Sequence, residues 1–316
     1  MSGERLSDVQ YRVGQLYDAG KFGPAFDLML AVRDHYPDDQ HEIRYWCSCL
    51  AARAGLTQEA LDLLEAELMG GGWFSQSQLR EDEDFDALQG QPRFESLAEE
   101  CFGRQRRAQA EARAAVFQRR PVGAYPTHPS IPTLLALHGN QQNSRHTLQT
   151  WDAIRHHGYR LALLQSSQLV SHDCFSWNDW ERAAHDFQQH LPTILENADP
   201  DHLILGGFSM GAGFALQQSL LDNELRTEGF VGVGTYLPEI DILEPLLEKL
   251  TPDTLRSYLV VGDLDDPCFE LSKQVVSWLE SRNQPCFLEV HAGLVHDYPA
   301  DFNESLKRAL EFIHNA

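Results

Sequence analysis

The stretch Leu203-Ile204-Leu205 leads through Gly206 into Gly207-Phe208-Ser209-Met210-Gly211 and then into Gly213-Phe214-Ala215-Leu216. It reads as an apolar strand, a sharp turn and a helix. The G-x-S-x-G spacing requires that setting. A serine held in a strained turn at a helix N-terminus leaves no room for a side chain at either flanking glycine. A buried strand that feeds directly into a helix points to a parallel sheet covered by helices.

The rest of the second half follows the same grammar. From about residue 115, short β-rich runs alternate with helical ones. The strands are expected over Thr133–Leu137, Leu161–Leu164, Leu203–Leu205, Phe230–Val233, Tyr258–Val261 and Phe287–Val290. The helices are expected over Asp179–Ile194, Met210–Leu221, Leu243–Leu250, Glu270–Glu280 and Phe302–Ile313. Strands that are apolar almost throughout predict a sheet buried on both faces. Val116–Tyr125 is expected to add one or two strands ahead of these.

The first hundred residues are helical in pattern, with apolar periodicity through Val9–Leu16, Ala25–Val32, Ile43–Ala54 and Ala60–Leu68. Ser7 and Asp8 stand where a cap of the first helix is expected, and Thr57 opens the fourth. A repeat is visible here. Tyr17-x-x-Gly20 before Ala25 recurs as Ala52-x-x-Gly55 before Ala60, an offset of 35 for both glycine and alanine. That period, with a small residue at the helix turn, resembles the tetratricopeptide repeat. The resemblance covers about 60 residues and implies a surface for a protein or peptide partner. Glu81–Asp86 reads as a solvated acidic loop. The helix Phe94–Cys101 follows, and then the only basic stretch, Arg104 to Arg107 and on to Arg120. The expected division is a helical domain over 1–103, a linker helix over 104–114 and an α/β domain over 115–316.

Charge and composition exclude several function classes. Among 316 residues, 25 basic against 47 acidic side chains give a net charge of −22, so phosphate backbones are repelled and nucleic-acid binding is not expected. The apolar runs are much shorter than the roughly 20 residues of a membrane span. Met1–Arg5 leads into a polar segment, with no apolar run and no small-residue cleavage site, so a cytoplasmic protein is expected. The six cysteines are scattered in a large chain and are expected to be free thiols without a metal role. No phosphate-binding loop is present, and Gly232-Val233-Gly234 lacks the third glycine of a dinucleotide fingerprint, so no cofactor is expected.

A second motif, Leu137-His138-Gly139-Asn140, closes the expected strand Thr133–Leu137. Together with the Ser209 turn, it resembles the α/β-hydrolase superfamily, in its compact carboxylesterase, phospholipase and thioesterase branch, over about residues 115–316. The resemblance implies an oxyanion hole made by the backbone N–H groups of Asn140 and Met210, with His138 shaping the loop. Gln141-Gln142-Asn143 departs from the Gly-rich sequence common in the branch, which makes Gln141 a candidate substrate contact. The triad partners should follow in the order Ser, Asp, His. The family's G-x-x-D turn selects Asp265, with Asp263 and Asp266 as competitors. Its G-x-x-H pattern selects His296, with His291 as the alternative. Similar esterases often carry a Trp-x-Asp element beside the nucleophile, matched here by Trp177 and Asp179. Two roles stay open for these residues: lining an acyl or aryl pocket, or packing and capping the helix that follows.

These residue types suit acyl transfer. A serine hydroxyl is a poor nucleophile at neutral pH, an imidazole can take its proton and later protonate the leaving group, and a carboxylate fixes the imidazole tautomer. The expected activity is a serine hydrolase acting on a small-molecule carboxylic ester or thioester. A peptidase or lactonase with the same triad is one alternative. A partner-binding repeat protein with the hydrolase fold as scaffold is the other.

Overall fold

Leu134 and Ala136 belong to one apolar layer, and Leu135 and Leu137 belong to another. Alternate residues of one strand thus bury into opposite faces, which only a sheet covered on both sides allows. The computed structural model describes residues 4–123, 130–221, 225–248, 251 and 254–314. Met1-Ser2-Gly3, the end of the expected Val116–Tyr125 segment and the last two residues of the expected helix Leu243–Leu250 lie outside these.

The helices are α1 (Leu6–Asp18), α2 (Phe22–Val32), α3 (Gln40–Arg53), α4 (Thr57–Met69), α5 (Gln76–Arg80), α6 (Pro92–Glu111), α7 (Ser144–Trp151), α8 (Trp180–Leu195), α9 (Ser209–Leu220), α10 (Glu244–Leu247), α11 (Cys268–Ser281) and α12 (Phe302–His314). The strands are β1 (Ala115–Arg119), β2 (Ile131–Leu137), β3 (Arg160–Gln165), β4 (Gln168–Ser171), β5 (Cys174–Ser176), β6 (Ala198–Phe208), β7 (Gly229–Val233), β8 (Arg256–Gly262) and β9 (Cys286–His291). Backbone contacts divide the chain into two units, 1–112 with 169–172, and 113–168 with 173–316.

In the second unit, seven strands lie in the order β1-β3-β2-β6-β7-β8-β9. All neighbours are parallel except β1, which runs antiparallel to β3. One face is covered by α8, α9 and α11 through Phe187, Phe214 and Val275. The other is covered by α7 and α12 through Trp151, Leu306 and Leu310. Parallel strands bring their C-terminal ends to one edge, so the loops after β2, β3, β6 and β8 gather there. Arg160, buried at the start of β3, is held by the carbonyls of Ile194 and Glu196 at 2.6 Å each, at the C-terminal end of α8. A cation on the last carbonyls of a helix is favourably placed.

The first unit is built of helix hairpins around Val13, Ala25, Leu50, Ala60 and Leu64. Its corners share one geometry. Gly20, Gly55 and Gly71 all have positive φ, at 69°, 76° and 90°. At each, the glycine N–H and the next N–H turn back onto the helix carbonyls: Gly20 to Tyr17 and Lys21 to Leu16, Gly55 to Ala52 and Leu56 to Ala51, Gly71 to Leu68 and Gly72 to Glu67. This is the two-bond helix stop that glycine favours.

Several expectations are corrected here. Helix α1 begins at Leu6, and Asp8 pairs with Arg5 at 3.1 Å instead of capping, because Arg5 holds the extended capping position. No separate helix spans 104–114. Residues 104–111 continue α6 and 112–114 are not helical, and Arg104 donates to the carbonyls of Leu68 and Gly72 at the end of α4. The acidic run Glu81–Asp86 is solvated only in part: Glu81, Glu83 and Asp86 are exposed, but Asp82 and Asp84 are not. Asp82 accepts from the Tyr45 hydroxyl and Asp84 from the Tyr17 hydroxyl, while Phe85 between them is buried.

Candidate functional site

Ser209 is the first residue of α9 and follows β6 directly, with φ at +54°. A non-glycine residue in that region costs about 1–3 kcal/mol and persists only where its surroundings impose it. The surroundings are on both sides. A Cβ on Gly211 would lie 2.1 Å from the His138 carbonyl oxygen, and one on Gly207 would lie 2.9 Å from that of Leu137. The first turn of α9 therefore rides against the end of β2, and the Ser209 carbonyl accepts from Tyr236 N–H at 3.1 Å.

His296 reaches Ser209 from the loop after β9. Its Nε2 is 2.9 Å from Ser209 Oγ, and its Nδ1 is 2.8 Å from Asp265 Oδ1. Asp265 sits in the loop after β8 and is 2% exposed, whereas the His296 side chain is 43% exposed. The buried carboxylate favours a proton on Nδ1, which leaves Nε2 free to accept from the serine. The imidazole lies against the Phe208 ring at 4.8 Å, and Phe208 stacks on Tyr298. Gly234, with φ at +51°, backs the pair: a Cβ there would stand 3.0 Å from Asp265 Oδ2 and 3.2 Å from the His296 ring. The competitors are occupied elsewhere. Asp263 Oδ1 accepts from Gly293 N–H at 2.6 Å, Asp266 is exposed, and His291 faces Glu289 at 2.6 Å.

The loop after β2 is fixed from below by His138, which is fully buried. Burial pulls its pKa down to about 4, so the ring is neutral. Its Nδ1–H then donates to the Gly139 carbonyl at 2.8 Å, while Nε2 accepts from Ser166 N–H at 3.2 Å. Asn140, the next residue but one, is held by its side chain. Oδ1 accepts from Trp177 N–H at 2.9 Å, and Nδ2 donates to Asn178 Oδ1 at 2.6 Å. Met210 is the second residue of α9, in the first turn, whose N–H groups lack intrahelical acceptors.

The three expected substrate contacts fare differently. Trp177 is not a pocket wall. Its ring is fully enclosed, stacked on Phe214 with centroids 5.6 Å apart, and its Nε1–H donates to the His138 carbonyl at 2.7 Å. Asp179 caps α8 by accepting from Arg182 N–H at 3.0 Å. Gln141 is exposed, with φ at +60°, and its N–H donates to the Phe175 carbonyl at 2.8 Å.

Sequence reasoning missed some neighbours of the site. Asn178 and Gly234 carry no motif. Cys268, at the start of α11, lies 3.7 Å from His296 Nδ1. A second serine–histidine–acid chain was also missed, in the first unit. Ser171 Oγ is 2.7 Å from His41 Nε2, and His41 Nδ1 is 2.7 Å from Glu67 Oε1. It connects serine, imidazole and carboxylate as at Ser209, but neither its order along the chain nor its setting matches. Ser171 is buried and lies in strand β4 rather than at a helix N-terminus. Glu67 also pairs with Arg44, and these partners hold its carboxyl below the usual range although burial pushes it up.

Residues 12–109 match the family model of the A/B hydrolase-like N-terminal domain. Among solved structures, an uncharacterized protein from Bacillus cereus ATCC 10987 is similar over 99% of both chains, at 29% identity and a TM-score of 0.56. Esterase PE8 is similar over 64% of this chain and 99% of its own, at 17% identity and a TM-score of 0.53. A Bacillus cereus carboxylesterase is similar over 65% of this chain and 97% of its own, at 16% identity and a TM-score of 0.50. No curated protein matches. Among the described residues, no helix is long and apolar enough to cross a membrane. The mostly parallel, helix-flanked sheet and these likenesses give the second unit the α/β-hydrolase fold, and residues 12–109 are similar to the A/B hydrolase-like N-terminal domain.

Proposed function

We propose that the chain is a serine hydrolase that cleaves a carboxylic ester or thioester through an acyl-enzyme on Ser209. The observation that carries this reading is the unbroken path from Ser209 Oγ through His296 to the buried Asp265, at 2.9 and 2.8 Å, on a strained turn at a helix N-terminus. His296 Nε2 takes the serine proton as Oγ attacks the carbonyl carbon, then passes it to the leaving alcohol or thiol. Asp265 holds the ring in its tautomer and stabilises the imidazolium. The N–H groups of Asn140 and Met210 receive the oxyanion, and each such donor is worth about 10²–10³ in rate. Water then repeats the sequence on the acyl-enzyme and frees the acid.

Two proteins of the same fold are esterases by name, so esters head the test panel. A p-nitrophenyl ester series from acetyl to longer acyl chains is run on wild type and Ser209→Ala, alongside fluorophosphonate labelling. Turnover and labelling that vanish in Ser209→Ala support the reading, and the chain-length profile sizes the acyl site. Folded wild type inert to the whole panel, or equal turnover in both proteins, sinks it.

A further inference from the structure

The inner side of His296 faces two groups that the proposed reaction does not use. Cys268 Sγ lies 3.7 Å from His296 Nδ1, and Asp265 Oδ2 is buried with no hydrogen-bond partner among the described residues. One ligand atom from each of Asp265, Cys268 and His296 falls within 4.8 Å of the others. Sulfur, imidazole nitrogen and carboxylate oxygen form a donor set that suits zinc and its softer congener cadmium. Around a tetrahedral zinc, bonds of about 2.3 Å to sulfur and about 2.0 Å to nitrogen put those two atoms about 3.5 Å apart. The observed 3.7 Å is close to that edge. The chain's net charge of −22 attracts cations, and exposed Asp266 stands beside Asp265.

We propose that Asp265, Cys268 and His296 form an inhibitory site for a thiophilic divalent cation, Zn²⁺ or Cd²⁺. The ion binds Cys268 Sγ, His296 Nδ1 and Asp265 Oδ2, and water completes its shell. Before the ion arrives Cys268 is S–H, as a cysteine thiol is at neutral pH. Ligation releases that proton to solvent. As the Nδ1–Oδ1 hydrogen bond breaks, the Nδ1 proton of His296 passes to solvent and solvent returns one to Nε2, so the ring keeps its charge and changes tautomer. A ring protonated at Nε2 cannot accept from Ser209. The loss of activity rests on the hydrolase reading, but metal binding does not.

The test uses the whole chain, stripped of metal by a chelator and titrated with Cd²⁺. Its readouts are the ultraviolet cadmium–thiolate band and the metal bound per chain. Wild type and Ser209→Ala, which keeps all three ligands, should develop the same band. Cys268→Ala and His296→Gln should each bind one ion fewer than wild type, and the second variant keeps the test decisive if the first fails to fold. In wild type, Zn²⁺ should abolish ester turnover and a chelator should restore it. Metal uptake unchanged in both ligand variants, or no uptake by wild type, overturns the proposal. Uptake through Cys268 in a wild type that turns over no ester supports the metal site and counts against the hydrolase reading alone.

Discussion

Gly211 and His138 meet so closely that a single added carbon on Gly211 would lie 2.1 Å from the His138 carbonyl oxygen. The contact joins the first turn of α9 to the loop after β2, and so joins the proposed nucleophile to the loop proposed to receive the oxyanion. The neighbouring oxygen is backbone and cannot swing aside, so Gly211→Ala must move one element by more than an ångström. Misplacement on that scale costs about 10²-fold in rate. The expected result is a fall of that order in kcat/KM on the best p-nitrophenyl ester, with a lowered Tm in a thermal melt.

Trp177→Phe keeps the stack on Phe214 and removes the Nε1–H that satisfies the His138 carbonyl. An orphaned buried acceptor costs about 1–3 kcal/mol. Urea unfolding of wild type and variant should differ by that amount. Equal stability would mean that the indole is not the carbonyl's partner in solution.

His138 makes the fold sensitive to acid in a defined window. Its pKa is held near 4 by burial, against about 6.5 for a free histidine, so below pH 6.5 the unfolded chain takes up a proton that the folded chain refuses. Stability from this group is complete above that pH and is lost progressively as pH falls to about 4, by about 3 kcal/mol in all. Glu289 acts lower. Burial pushes it up, but hydrogen bonds from Arg308, Tyr258, Ser305 and His291 prevail and hold it down to about 2, so its contribution is lost only below the ordinary carboxylate range. The difference in urea midpoint between pH 7 and pH 5 should therefore shrink in His138→Gln.

Ser171→Ala serves as the control for the second serine–histidine–acid chain. It should leave fluorophosphonate labelling on Ser209 intact. Loss of the 2.7 Å bond to His41 should lower stability by about 0.5–1.5 kcal/mol, read by urea unfolding. Labelling transferred to Ser171 in Ser209→Ala would refute the distinction drawn between the two serines.

What the sequence revealed followed from locality. Ser209, Asp265 and His296 each follow a strand within a few residues and carry a nearby glycine pattern, so their neighbourhood is written in adjacent letters. Ser171, His41 and Glu67 are separated by 130 and 26 residues, and no short pattern announces a pair brought together by tertiary packing. The run Glu81–Asp86 misled for a similar reason. Asp82 and Asp84 look solvated until Tyr17 and Tyr45 arrive from α1 and α3. β2 was legible because both of its faces meet apolar layers, so the strand reads as one continuous apolar run. Caps were less so, since Arg5 owes its place at the head of α1 to backbone conformation rather than to a capping side chain.

The reversals at Gly20, Gly55 and Gly71 close on main-chain hydrogen bonds and a left-handed glycine, with no side chain in either bond. The two bonds themselves ask nothing of the side chains around them beyond the glycine. The helices joined there can therefore drift in composition while the path of the chain is kept. The path of the chain through the helical unit is thus written in its glycines and main-chain bonds more than in the side chains of its turns.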